Sequence, residues 1–124
     1  MKKTYSLLFA SIFTASLITA CSNEPSVSFT SNVKPIVDKH CAECHMTGGE
    51  GANASGFIVE SYETLMKGTK YGPVIVAGDP LSSSLYRLIS GKVDKSIEMP
   101  HSKEPLSSGE IAMVENWINQ GAVK

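Results

Sequence analysis

The sequence predicts a small all-α domain of four to five short helices. Apolar residues recur at helical spacing in several short segments, a capping box precedes the last of them, and glycines stand where segments end. The chain has 124 residues, of which 42% are hydrophobic and 19% charged, so length and composition suit one globular domain. The formal net charge of −1 argues against a basic nucleic-acid-binding protein.

The first twenty residues predict an export signal. Two lysines are followed by an uncharged, mostly apolar run over residues 7–20, shorter than the roughly 20 residues that a membrane span needs. The run ends in Ile-Thr-Ala-Cys at positions 18–21, which resembles the lipobox of bacterial lipoproteins. That resemblance implies a lipoprotein signal peptide over residues 1–20 and a lipid on Cys21. The alternative is an ordinary cleavage site after Ala20 with a chance cysteine.

The segment after the predicted lipidation site is polar. Residues 21–31 are expected to form a lipidated N-terminus and a flexible tether, with the domain proper over residues 32–124. A lipid anchor would hold the protein in a bacterial cell envelope, facing the periplasm. The resemblance also favours the outer membrane if the host is Gram-negative, because Ser22 rather than an aspartate follows the cysteine.

The first helix is expected over residues 32–40. Thr30 or Ser31 is placed to cap its N-terminus, and Pro35 falls in or near its first turn, where proline is tolerated. The segment that follows the first helix and its cysteine pair, residues 46–56, holds four glycines and predicts a loop.

Two further helices are bounded by polar caps and glycines. Ser61 is placed to cap a helix over about residues 62–67 that ends at Gly68. Asp79 and Pro80 then predict the N-cap and first position of the next helix. The apolar face of this helix is expected to consist of Leu81, Leu85, Leu88 and Ile89. Gly91 is expected to end it.

The last helix begins with the clearest start signal in the chain. Ser107 and Glu110 form a capping box, and Gly121 ends the helix. Its apolar stripe is Ile111, Val114, Trp117 and Ile118. A tryptophan on such a stripe is expected in the core, although its ring could also reach a cofactor.

A C-x-x-C-H motif stands at Cys41, Cys44 and His45. Two thiols three positions apart can form thioethers with both vinyl groups of one haem, and the histidine that follows can ligate its iron. Predicted export agrees with this, because bacteria attach haem to the motif outside the cytoplasm. We therefore expect one covalently attached haem c, with Cys41 and Cys44 as attachment sites and His45 as an axial ligand of the iron.

Three other interpretations of the cysteine pair are open. A thioredoxin-like redox pair would open a helix after a strand, whereas here a predicted helix precedes the motif. A structural zinc site would need a second pair of ligands at suitable spacing. A structural disulfide is possible in an oxidising compartment, but it would leave His45 without a role.

The second axial ligand is expected from the loop that precedes the last helix. Met99 stands before Pro100, which favours an extended backbone that can point a side chain across a cofactor face. His101, in the same loop, is the alternative ligand. The other sulfur and nitrogen candidates are expected near the proximal side or in the core: His40, Met46, Met66 and Met113.

The order of these segments resembles the small class I cytochrome c domains of planctomycete type. The resemblance covers about residues 32–122 and includes the haem motif, the Gly72–Pro80 segment, Met99-Pro100 and the Trp117–Ala122 segment. It implies a class I cytochrome c fold wrapped around one haem, with Met99 as the distal ligand. Many relatives read Met-Pro-Pro, whereas position 101 is histidine here.

The favoured function is a membrane-anchored, mono-haem electron carrier. It would pass single electrons between other redox proteins of the envelope, contacting the membrane through its lipid, with no nucleic acid and no substrate of its own. The alternative is a haem-based sensor or catalyst with an open or His101-ligated distal site. A thiol oxidoreductase, a third class, would require Cys41 and Cys44 to be free.

Overall fold

A computed structural model describes residues 25–124 of the chain. The expected signal peptide and Cys21 lie outside the described residues. Six α-helices follow in order: Lys34–His40 (α1), Ala42–His45 (α2), Glu50–Ser55 (α3), Tyr62–Lys67 (α4), Ser84–Ile89 (α5) and Ser108–Asn119 (α6). An isolated bridge between Thr69 and Gly72 is the sole extended pairing within residues 25–124, so the all-α prediction is confirmed. No helix in that range is long and apolar enough to cross a membrane.

The first helical segment begins earlier than expected. A π-helical turn, Phe29–Val33, runs directly into α1. Ser28 caps this turn by accepting a hydrogen bond from the backbone of Ser31, so neither of the two expected residues is the cap. Val27 and Phe29 are buried, and the packed core therefore includes residues that the sequence places in the tether.

The glycine-rich segment after the cysteine motif is not all loop. It contains α3, which begins after Gly49 and ends at Gly56, where φ is 76°. The residues between these glycines include two alanines, and Ala52 is buried against the rest of the domain. Burial of this short apolar face supplies the stability that the local sequence lacks.

The helix expected from Asp79 and Pro80 begins later than predicted. Asp79 does act as a cap, but of a turn: its carboxylate accepts hydrogen bonds from the backbone and hydroxyl of Ser82. Helix α5 starts only after Ser83, whose buried hydroxyl donates to the Asp79 carbonyl at 2.8 Å. Leu81 is consequently 63% exposed and does not belong to the apolar face.

The other two expected helices have the predicted bounds and caps. Ser61 starts α4 in a reciprocal capping arrangement with Thr64, and Gly68 ends it. Ser107 and Glu110 form the expected capping box of α6. These helices are predictable because their starts depend on contacts between residues three positions apart.

The first and last helical segments are antiparallel neighbours. At one end, the Phe29 backbone donates to the Val123 carbonyl at 3.1 Å. At the other end, His40 and Lys39 contact the Glu110 carboxylate of α6. Trp117 is fully buried between them, and its indole donates to the Val123 carbonyl at 2.7 Å, so it is core as expected.

Candidate haem site

A cavity of about 660 Å³ lies between the cysteine motif, α5 and the loop before α6. Its volume falls within the range of roughly 300–1,000 Å³ that is typical of cofactor sites. The walls are mostly apolar and include Phe57, Val74, Leu85, Leu88, Ile89 and Leu106. The structure brings the five predicted site residues of the described range to this cavity: Cys41, Cys44, His45, Met99 and His101.

The imidazole of His45 is oriented for metal binding. Its Nδ1 lies 3.1 Å from the Phe57 carbonyl oxygen, and the two rings meet edge to face at 5.2 Å. A carbonyl oxygen can only accept a hydrogen bond, so Nδ1 carries the proton and donates it. The Nε2 lone pair is therefore available to a metal, and the hydrogen bond restricts rotation of the ring.

Helix α3 packs directly against this imidazole. A Cβ atom placed on Gly51 would lie 2.6 Å from His45 Cε1 and 2.8 Å from Nε2. Such distances are far below ordinary van der Waals contact, so only glycine fits this position with the ring where it is. Residue 51 thus contributes to the placement of His45, although the glycine-rich composition alone predicts only a loop.

The two cysteines occupy the junction between α1 and α2. Cys41 follows α1 and donates its backbone N–H to Val37 at 2.8 Å, and Cys44 lies within α2. The two sulfurs are not joined to each other by a disulfide. Burial raises the pKa of Cys41 to about 11, with a further contribution from Asp38. A redox-active thiol needs a lowered pKa, so this environment disfavours the thioredoxin-like alternative.

Both candidate distal ligands stand on the loop before α6. Met99 is half-buried against the core, and its backbone N–H donates to the Leu88 carbonyl at 3.0 Å. His101 is exposed but lines the same cavity. An ion pair between Lys103 and Glu43 connects this loop to the cysteine motif. The hydrogen bond that Lys103 donates to the Glu43 carboxylate raises the pKa of Lys103.

The other candidate ligands are engaged elsewhere. His40 borders the cavity, but its Nε2 lies 3.0 Å from the Glu110 carboxylate. Met46 is 41% exposed, Met66 and Met113 pack against the core, and none of the three lines the cavity. Among residues 25–124, no group of three or more histidine, cysteine, aspartate or glutamate side chains is arranged as a metal site, so the zinc alternative gains no support.

The family model described as Planctomycete cytochrome C matches residues 41–102, half of the chain. The chain belongs to the planctomycete cytochrome c family. The match begins at the first cysteine of the motif and extends past Met99 and His101, and it confirms the resemblance found in the sequence. This cytochrome c domain is therefore a haem-binding electron-carrier domain. Neither a curated protein nor a solved structure matches the chain significantly.

The residues present fit a haem. The cavity combines apolar walls with two cysteines that form no disulfide and an imidazole whose Nδ1 is already hydrogen-bonded to a carbonyl. This cytochrome's site also includes Phe57, Gly51 and the Lys103–Glu43 ion pair, which the sequence does not predict. Phe57 acts through its backbone, Gly51 through its missing side chain, and the ion pair joins residues 60 positions apart, so no local motif marks them.

Proposed function

We propose that the chain is a lipid-anchored, mono-haem c-type cytochrome that transfers single electrons between redox proteins of a bacterial cell envelope. The observation that carries the proposal is the shared cavity. Cys41, Cys44 and His45 reach it from the motif, and Met99 reaches it from a loop more than fifty residues further along the chain. Family membership supports the electron-carrier role.

Each of these residues has a distinct part in holding the cofactor. The Cys41 and Cys44 sulfurs would bond the two vinyl groups, and His45 Nε2 would ligate the iron. The Phe57 carbonyl keeps the imidazole in the required tautomer. When bound, the haem iron supplies a one-electron couple between its ferrous and ferric states.

Met99 is proposed as the distal ligand. A thioether favours ferrous iron and raises the reduction potential relative to a second histidine. Two protein ligands leave no open position for a substrate, which suits a carrier rather than an enzyme. The mostly apolar walls of the cavity also favour the less charged ferrous state.

The anchor and the location follow from the N-terminal signal. Residues 1–20 are proposed as the signal peptide, and Cys21 as the lipidated residue that holds the domain on a periplasm-facing membrane surface. The outer membrane is the proposed destination in a Gram-negative host. The partners are other envelope redox proteins, met through small and transient contacts.

One observation favours a second candidate function. His101 lines the same cavity as Met99, from two residues further along the loop. If Met99 is not a ligand, the iron is either bound by His101 or open to a small molecule. The protein would then be a haem-based sensor or catalyst, and with an open site its reduced form would bind carbon monoxide promptly.

The visible spectrum of the exported, haem-matured protein tests these alternatives. The proposal expects a c-type spectrum with the weak far-red band of sulfur-to-ferric-iron charge transfer. Met99→Leu should abolish that band, whereas the matched control Met66→Leu should keep it, because Met66 packs in the core away from the cavity. A band that survives in Met99→Leu would exclude Met99. Absence of haem after competent maturation would refute covalent attachment and favour the thiol oxidoreductase alternative.

A further inference from the structure

We propose that one end of this domain faces the membrane and that the haem cavity opens at the opposite end, toward water. The electron partner is accordingly a redox protein that docks from the aqueous side, not a quinone dissolved in the lipid. The membrane-facing end, called the anchor end below, consists of residues 25–29 and 120–123. This inference rests on the proposed lipidation of Cys21 and on the proposed haem site.

The chain nearest to Cys21 is held firmly at the anchor end. The side-chain amide of Gln120 makes two hydrogen bonds to this segment. Its Oε1 accepts from the Val27 backbone at 2.8 Å, and its Nε2 donates to the Pro25 carbonyl at 3.2 Å. Phe29 is 3% exposed, and its backbone donates to the Val123 carbonyl. Residues 25–29 are thus part of the folded domain and add no length to the tether.

The remaining tether is short. Four peptide units separate Cys21 from Pro25, and even a fully extended chain of that length spans no more than about 14 Å. The lipid on Cys21 therefore holds the membrane surface close to the anchor end. A longer tether of all the polar residues up to position 31 would let the domain turn freely.

The cavity lies at the other end of the helix pair. Helix α6 ends beside Gln120 at the anchor end, and it begins beside Leu106, which lines the cavity. Its twelve residues span about 18 Å. Helix α1 runs in the opposite direction and ends at His40, which also lines the cavity and contacts Glu110. The two helices separate the lipid from the haem site by more than the reach of the tether.

The distance between the membrane and the cavity favours a protein partner over a quinone dissolved in the lipid. A quinone dissolved in lipid exchanges electrons fast only when it comes close to the cofactor edge, because the rate of electron transfer falls steeply with distance, and the helix pair holds that edge away from the membrane. A protein partner approaching through water meets no such obstacle. Two ion pairs lie near the cavity, Lys103 with Glu43 and Lys39 with Glu110, and Glu50 lines the cavity without an ion pair to any described residue. We expect the contact to be small and transient.

Spin labels on the lipidated holoprotein test the orientation. Asn119→Cys places an exposed label at the anchor end, and Glu104→Cys places one near the cavity. Each variant is reconstituted in vesicles whose lipid headgroups chelate nickel(II), with the haem reduced so that low-spin iron stays diamagnetic. Nickel should enhance relaxation severalfold more at position 119 than at position 104. Equal enhancement, or a larger effect at position 104, would overturn the orientation.

A spacer provides the matched control. Twenty Gly/Ser residues inserted between positions 23 and 24 add a root-mean-square length of about 25 Å. The difference between the two labels should then largely disappear, and a quinol dissolved in the vesicles should reduce the haem severalfold faster than in the unmodified protein. Equally fast reduction without the spacer would overturn the choice of partner.

Failure of the proposed function is separately visible. Protein that does not float with the vesicles would refute the lipid anchor, and the orientation would fall with it. Protein that floats but lacks a haem spectrum would refute the haem site, and the orientation, which needs the holoprotein, would be refuted with it. Protein that floats, carries haem and shows equal relaxation at both labels would refute the orientation alone.

Discussion

Gly51→Ala isolates how helix α3 positions the proximal ligand. The added Cβ would lie 2.6 Å from His45 Cε1, whereas carbon atoms in contact are about 3.5 Å apart, so ring and helix must separate by about 0.9 Å. Overpacking of this kind costs roughly 1–3 kcal/mol. Alanine is more favourable than glycine within a helix by about 1 kcal/mol. This gain offsets part of the overpacking cost, so the net loss of stability is modest.

The larger effect is expected on the iron ligation. A shift of about 0.9 Å in the imidazole is large compared with the tolerance of a metal–nitrogen bond, which is about 0.2 Å. It would also strain the hydrogen bond from Nδ1 to the Phe57 carbonyl. We therefore expect the ferric spectrum to lose its far-red band or the ferrous protein to bind carbon monoxide.

The assay is visible spectroscopy of the matured holoprotein, with denaturant unfolding as a second measurement. Gly109→Ala is the matched control, since it also lies in a helix and an added Cβ there meets nothing within 4 Å. The control should keep the parent spectrum and gain slightly in stability. A Gly51→Ala protein whose spectrum and carbon monoxide behaviour match the parent would refute the reasoning.

Three further predictions concern stability. Trp117→Ala should lower the free energy of unfolding of the holoprotein by about 3–5 kcal/mol, because the side chain is fully buried; denaturant titration measures this. A hydrogen bond from Lys39 holds the pKa of Glu110 well below its usual 4.5, so the carboxylate stabilises the fold above pH 4.5 and this is lost as the pH falls further. The free energy of unfolding of Glu110→Gln should therefore lie below that of the parent at neutral pH, and this difference should shrink below pH 4.5. Unfolding measured across pH tests this. The haem-free double variant Cys41→Ser, Cys44→Ser should unfold without cooperativity, as followed by calorimetry.

Each of these has a clear contrary result. A Trp117→Ala protein within 1 kcal/mol of the parent would mean that the core rearranges around the lost ring. A Glu110→Gln deficit that grows on acidification would show that the carboxylate is not stabilised in its charged form. A cooperative, native-like transition of the haem-free variant would show that the helices make a sufficient core without the cofactor.

Local signals in the sequence account for much of the fold. The starts of α4 and α6 were predictable because each depends on a side chain that bonds a backbone N–H three residues later. The same logic misplaced α5, since Asp79 caps a turn and the buried hydroxyl of Ser83 sets the later start. Helix α3 was missed because its stability comes from burial of Ala52 and not from local propensity.

The extent of the domain also depended on tertiary contacts. Val27 and Phe29 stand in a polar segment that has the composition of a tether. Their backbones donate hydrogen bonds to the Gln120 side chain and the Val123 carbonyl, and the Phe29 ring packs against Trp117. No pattern within ten residues of the N-terminal segment reveals partners that lie more than ninety positions away.

The sequence by itself determined the chemistry: the thiol pair and histidine of one C-x-x-C-H motif, and a methionine and a histidine as the competing distal ligands. It could do so because these residues are recognised by type and spacing. Only the tertiary structure decided how they meet in one cavity and how Gly51 and the Phe57 carbonyl orient His45. Those features depend on backbone atoms, missing side chains and contacts between distant residues, and folding alone brings these together.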